Sequence, residues 1–350
     1  MADLTAKKYS RLQQGETLTW QRLLVNLGLR ETSVPLTVTF TDLPLGRQVY
    51  LIDEAQPFYA WIGEVPLAVA NLHQSLADTI ITAPWYIERL SPTTAGVVIS
   101  SAPPVEHWAS DTLAAALTAL RNLHLSHQRP TPQPGLPLLL DAPFAGLAPA
   151  VERFLGLAGW PGVLLEEQVQ RIHAAIQQPA ALLAPLQALP TTLLHGDPAL
   201  HAFRRRADGS FLLQPWSSAA HGPAVYDLAG FLCRLPLIED ASNIWRDFTS
   251  PTPRITLIDQ YLGPTAAPGV RAAFQSALPA AEVVFTLRHW LPRLNDYFSI
   301  LKPSRAIWRT FAKFPPAQLA RLGLTPLFEH KPYFTDLFAQ IDATLHDLGY

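Results

Sequence analysis

Three side chains able to move protons or hold ions fall within one short stretch, His195, Asp197 and His201, with His221 a little further on. Imidazole and carboxylate groups at short spacing are zinc ligands in other settings. Here a loop, and not a helical turn, separates Asp197 from His201, and the spacing fits no standard ligand pattern. No metal site is therefore expected from these residues alone. Asp227 lies in Pro223-Ala224-Val225-Tyr226-Asp227-Leu228-Ala229, which reads as the capped start of a helix. Arg204-Arg205-Arg206 is the only dense basic run. On a strand its side chains alternate between faces, which allows a solvated hairpin or an anion contact. Gly-x-Ser-x-Gly and the dinucleotide-binding glycine fingerprint are both absent.

The elements that must position these groups are legible around them. An apolar strand through Leu193-Leu194 runs into His195-Gly196-Asp197, and after a short loop the chain leaves through Phe203 into the basic strand. A turn at Ala207-Asp208-Gly209 returns it as Phe211-Leu212-Leu213-Gln214-Pro215-Trp216. Upstream, Trp20, Leu23, Leu24 and Leu27 at helical spacing predict one amphipathic lead-in helix within residues 1–30. Alternating stretches predict strands at 36–40, 48–52, 57–62, 85–90 and 96–100, with a turn at 42–46 and a helix at 68–81. Ser101-Ala102-Pro103-Pro104 reads as a hinge. The next helix carries the stripe Leu113, Leu117, Leu120, His124, with His124 expected near the helix's last carbonyls. A proline-rich surface loop is expected over 128–149, and helices over 150–158 and 165–178, with another leading into Leu193. Beyond Asp227 the pattern is helical at 225–235, 254–262, 268–277, 279–300, 303–312 and 333–348. Phe285, Trp290, Tyr297, Phe298, Trp308 and Phe311 read as core, with His289, Arg293 and Asp296 the polar groups beside any pocket there.

Composition narrows the class. The 350 residues are 49% hydrophobic and 15% charged, so the chain is globular. A formal charge of -2 gives no reason to expect nucleic acid or an anionic membrane as partner. The 33 prolines are scattered at element ends as punctuation. Cys233, the single cysteine, sits in an apolar run and reads as a small buried hydrophobe. The opening residues lack the apolar core of a signal peptide, and no apolar run is long enough to span a membrane. A cytoplasmic protein is expected.

The order of motifs resembles the catalytic core of the aminoglycoside phosphotransferase and choline kinase family, the small-molecule branch of the protein-kinase-like fold. The resemblance rests on His195-Gly196-Asp197 and on Tyr226-Asp227-Leu228-Ala229 at the expected separation, and in element order it covers nearly the whole chain. It implies an α+β, two-lobed fold, with a small β-rich N-lobe over 1–103 (a lead-in helix and a five-stranded sheet with one helix) and a larger, mostly helical C-lobe over 104–350. It also implies roles: Asp197 as the catalytic-loop base, His195 bracing that loop, and Asp227 buttressing it from below.

Phosphoryl transfer demands more than these positions. The family has an asparagine five residues after the catalytic aspartate, and here that place holds Ala202, with His201 one position early as a possible substitute metal ligand. The second metal aspartate falls on Pro215. The phosphate-holding lysine falls on Trp61 or Ile62, and lysines occur only at 7, 8, 302, 313 and 331. Its helix carboxylate partner is missing before Asp78. The phosphate-covering loop keeps one glycine, Gly46, with Arg47 as the residue able to reach a phosphate. Two readings follow. The first is a pseudoenzyme that binds an unidentified small molecule or protein without chemistry, with no cofactor expected. The second is an ATP- and Mg-dependent phosphotransferase of a hydroxyl acceptor, with Asp197 as base, His201 in place of asparagine and Arg47 in place of lysine.

Overall fold

The computed structural model describes residues 2–31, 35–43, 46–52, 57–64, 85–89, 95–100, 102–105, 108–128, 135–156, 165–213, 216, 218–235, 238–239, 244–245, 253–300 and 325–350. Two helices, α1 (Ala2–Gln13) and α2 (Thr17–Asn26), stand where the sequence predicts one. Gly15 breaks the run with φ 75, a conformation other residues adopt at a cost. The buried Trp20 ties the pieces together by donating its indole N–H to the Leu12 carbonyl at 3.0 Å.

The strands β1 (Thr37–Leu43), β2 (Gly46–Ile52), β3 (Phe58–Glu64), β4 (Trp85–Arg89) and β5 (Ala95–Ser100) form one antiparallel sheet in the order β1-β2-β3-β5-β4. Val49, Leu51, Phe58, Ala60, Ile62, Val97 and Ile99 lie on one face of it and pack with Leu12, Trp20, Leu23 and Leu24. The period-2 pattern of a half-buried sheet explains that division. Arg47, expected in a turn, is the second residue of β2, paired with Asp42 of β1 and Ile62 of β3. The helix expected at 68–81, with Asp78, lies outside the described residues.

Residues 102–105 join the sheet to the helical lobe and pair with the strand after the catalytic-loop-like segment. That lobe contains α3 (Ser110–Ser126), α4 (Ala148–Gly156), α5 (Glu166–Gln177) and α6 (Ala180–Gln187). Three small antiparallel pairs follow: β6 (Thr191–Leu194) with β9 (Ala220–Pro223), β7 (Phe203–Arg205) with β8 (Phe211–Leu213), and β10 (Ile238–Glu239) with β11 (Ile244–Trp245). The lobe is completed by α7 (Val225–Arg234), α8 (Arg254–Leu262), α9 (Pro268–Ile300) and α10 (Thr325–Asp347).

The expected break between 277 and 279 does not occur, because α9 runs through Pro279. An interior proline costs about 3 kcal/mol. Against it stand Ala277, Leu278, Ala280, Ala281, Val284, Phe285 and Leu287, all buried in the lobe's core as α9 packs on α7. The helix expected at 303–312 lies outside the described residues. The mixed architecture, a small antiparallel sheet and a helical remainder, is the two-lobed kinase-like one expected. No helix among the described residues is long and apolar enough to cross a membrane.

Candidate functional site: a kinase-like loop with its aspartate paired

β6 delivers His195, Gly196 and Asp197 to the end of a two-stranded ladder, and β9 holds that ladder from the other side. Gly196 has φ 82, and a Cβ there would stand 2.0 Å from the Ser218 carbonyl oxygen. Only glycine lets the loop pass so close to the neighbouring backbone.

Asp227, in the first turn of α7, is fully buried. Its carboxylate accepts the His195 amide at 2.7 Å and the Gly196 amide at 2.9 Å. His124, expected to sit at the last carbonyls of its helix, instead donates from Nε2 to the same carboxylate at 3.1 Å. Its other ring nitrogen accepts the Tyr261 hydroxyl at 2.6 Å. An Nε2–H imidazole satisfies both contacts, so the chain Tyr261–His124–Asp227 runs from α8 to the loop. Burial pushes the Tyr261 phenol well above its ordinary value, which keeps it a donor. His195 places its Nδ1 3.4 Å from the Asp197 amide and packs its ring 5.1 Å from that of Trp216.

Asp197 itself is 6% exposed. Its carboxylate forms an ion pair with Arg234, the last residue of α7, which is as deeply buried. The Arg234 guanidinium also donates to Nε2 of His289 on α9 and lies 5.6 Å over the Phe285 ring. An arginine can only donate, so the contacting imidazole nitrogen carries a lone pair. Burial, and then the adjacent Arg234 charge, hold the His289 pKa well below its ordinary value, so the ring is neutral at pH 7.

The unfolded chain protonates His289 near pH 6.5 and the folded chain does not, so its contribution to stability is full above that pH and falls as pH drops. Between about pH 6.5 and 5.5 the expected loss is up to about 1.4 kcal/mol, one proton's worth. Urea unfolding of the protein and of a His289→Gln variant at both pH values checks this. The variant should have the flatter dependence.

The remaining sequence-predicted groups are placed as follows. Ala202, at the position where the resemblance implies an asparagine, is fully buried at the end of the 3-10 turn Leu200–Ala202. His201 is in that turn, but its side chain lies outside the described residues, as do those of Arg47, Arg293 and Asp296 and the whole of Pro215. No group of three or more histidine, cysteine, aspartate or glutamate residues able to hold a metal occurs among the described residues. Cys233 is buried and its thiol is pushed up to about 11, chiefly by desolvation.

Of the two candidates for the lysine position, Ile62 faces the sheet's own core, whereas Trp61 faces the other way and is 2% exposed. Trp61 belongs to the core of the helical lobe, with Ala102, Val105 and Trp108. The linker is also short of donors. The Ala102 amide donates to Ser100 Oγ at 3.0 Å, Pro103 and Pro104 have no N–H, and the Val105 amide donates to the Phe203 carbonyl at 2.9 Å. Residues 102–105 thus offer no unused backbone donor to an adenine edge.

Arg234 was not singled out from the sequence. Its one signal is a lone charge closing the apolar run Leu228-Ala229-Gly230-Phe231-Leu232-Cys233, and that reads equally as a helix end.

No family model matches the sequence, and no curated protein matches it. Solved structures do. Choline kinase from Cryptosporidium parvum superposes with a TM-score of 0.56 at 12% identity, over 89% of this chain and 98% of that one. The chain has the choline kinase fold. The Plasmodium vivax ethanolamine kinase gives a TM-score of 0.56 at 9% identity, covering 95% of this chain and 90% of that one. The microcompartment-associated aminopropanol kinase gives 0.55 at 14%, covering 94% and 96%. In this chain the loop carrying Asp197 is framed by the Asp227 carboxylate, and the carboxylate at its tip is paired with Arg234.

Proposed function

We propose that this protein is a pseudoenzyme of the choline kinase and aminoglycoside phosphotransferase type, acting by binding a small molecule or a partner and not by transferring phosphate. The observation that carries this reading is the buried Asp197–Arg234 ion pair. A catalytic base must have a free lone pair within reach of the acceptor hydroxyl. Asp197 meets a guanidinium instead, and proton acceptance there would have to break a desolvated ion pair, a cost of several kcal/mol.

Three features point the same way. Trp61 fills a lysine position with an uncharged ring buried against the second lobe. Ala202 supplies no ligand atom, and magnesium needs several oxygen ligands. The linker has no spare amide for adenine among residues 102–105. The similar structures are kinases of choline, ethanolamine and aminopropanol, so these are the acceptors to try first.

The test is ADP formation from ATP with magnesium or manganese in the presence of each of these three acceptors, with Asp197→Asn as the control. The proposal expects no turnover above that control. Acceptor-dependent ADP formation lost in Asp197→Asn would overturn it and establish the active phosphotransferase.

A further inference from the structure

We infer that the two lobes are clasped by a reciprocal exchange of side chains, Trp61 passing from the first lobe into the second and Arg204 from the second beneath the first, so that the cleft does not open and close as a hinge.

The exchange follows from strand geometry. Along β3, Phe58, Ala60 and Ile62 lie in the core of the sheet lobe, so Tyr59 and Trp61 face the cleft. On β2 the same alternation buries Val49 and Leu51 and turns Tyr50 to the cleft, where its ring meets that of Tyr59 edge-on at 5.9 Å. From below, Phe203 of β7 points into the helical core, against Trp108 at 5.3 Å and Phe231 at 5.6 Å. Arg204, next along the strand, therefore points the opposite way, and it is 2% exposed.

Its guanidinium lies within electrostatic reach of the Tyr50 and Tyr59 phenols, across the lobe boundary. Desolvation lowers its pKa only to about 10, so it is a cation at neutral pH. Pulling the lobes apart would hydrate that charge but expose the Trp61 indole and the two tyrosine rings together. The linker reinforces the contact, since Val105 donates to the Phe203 carbonyl and Arg205 donates to the Pro103 carbonyl at 2.8 Å. It is bonded to β7 on either side of Arg204 and is not a free hinge.

This inference does not depend on whether Asp197 is catalytic. A protein so clasped presents a fixed surface, and any ligand must be read outside a moving cleft.

Amide hydrogen exchange on the full chain tests it. In the wild type, the amides of Val105 and Arg205 should be protected to the same order as those of Thr192 and Leu194 in β6. In a Trp61→Ala, Arg204→Met variant their protection should fall tenfold or more, while the His195 and Gly196 amides held by Asp227 keep theirs. Linker amides that exchange like loop amides in the wild type, or that are unchanged in the variant, would overturn the clasp. So would equal loss at every amide, which would make both residues general core. Should the double variant not fold, the wild-type exchange decides: Val105 and Arg205 amides protected like that of Leu194 support the clasp, and loop-like exchange refutes it.

Discussion

Replacing Asp197 by alanine is expected to destabilise the protein by about 3 kcal/mol, because it leaves the Arg234 guanidinium buried with no anion. His289 cannot compensate, since it is neutral and already accepts from the same arginine. Removing both members of the pair, as Asp197→Ala with Arg234→Met, should recover most of that loss. Methionine fills the volume of the aliphatic stem without a charge. The measurement is the urea midpoint of the two single variants and the double variant. A coupling energy of about 2–3 kcal/mol is expected. In an open catalytic site the same aspartate would wait for a substrate, and its removal would leave the midpoint unchanged or raise it. That outcome would assign the carboxylate to chemistry and not to structure.

Asp227→Ala is expected to cost still more, about 4 kcal/mol. The His195 and Gly196 amides and the His124 imidazole all lose their acceptor at once, in a place that water does not reach. Each buried donor left unpaired costs about 1–3 kcal/mol. Asp227→Asn should cost less, since a carbonyl oxygen in the Oδ2 place can still accept from both His195 and His124. The readout is again the urea midpoint, with amide exchange at His195 and Gly196 as the local probe. Loss of protection should begin there and at Asp197. An unchanged midpoint in Asp227→Ala would show that the loop is held by other contacts.

Much of the fold was readable in the chain because it rests on local periodicity. The five strands of the first lobe lie within a few residues of their expected positions, and 254–262 is helical as expected. The failures have physical causes. Gly15 divides a helix whose apolar spacing looks continuous, since periodicity does not register a backbone turn. The sequence pattern divides the helix between 277 and 279, but buried neighbours on both sides of Pro279 carry it through.

At the loop, the Asp227 carboxylate accepts the His195 and Gly196 amides. What the sequence could not convey is the partner of Asp197. Arg234 and His289 come from separate helices, and only tertiary packing brings Arg234 to the Asp197 carboxylate and His289 to Arg234. The same holds for Trp61. The sequence marks the missing lysine, whereas the replacement's burial in the opposite lobe depends on how the lobes face each other.

The most direct test of the central claim is the melting temperature with millimolar ATP in the presence of magnesium, manganese or EDTA. A ligand present at a hundred times its dissociation constant stabilises the folded state by about 2.7 kcal/mol, which raises the melting temperature by about 4 °C in a chain of this size. With Ala202 at the metal-ligand position and Trp61 buried where a lysine would hold phosphate, no metal-dependent rise is expected. A rise of that size that needs magnesium or manganese and vanishes in EDTA would contradict the account.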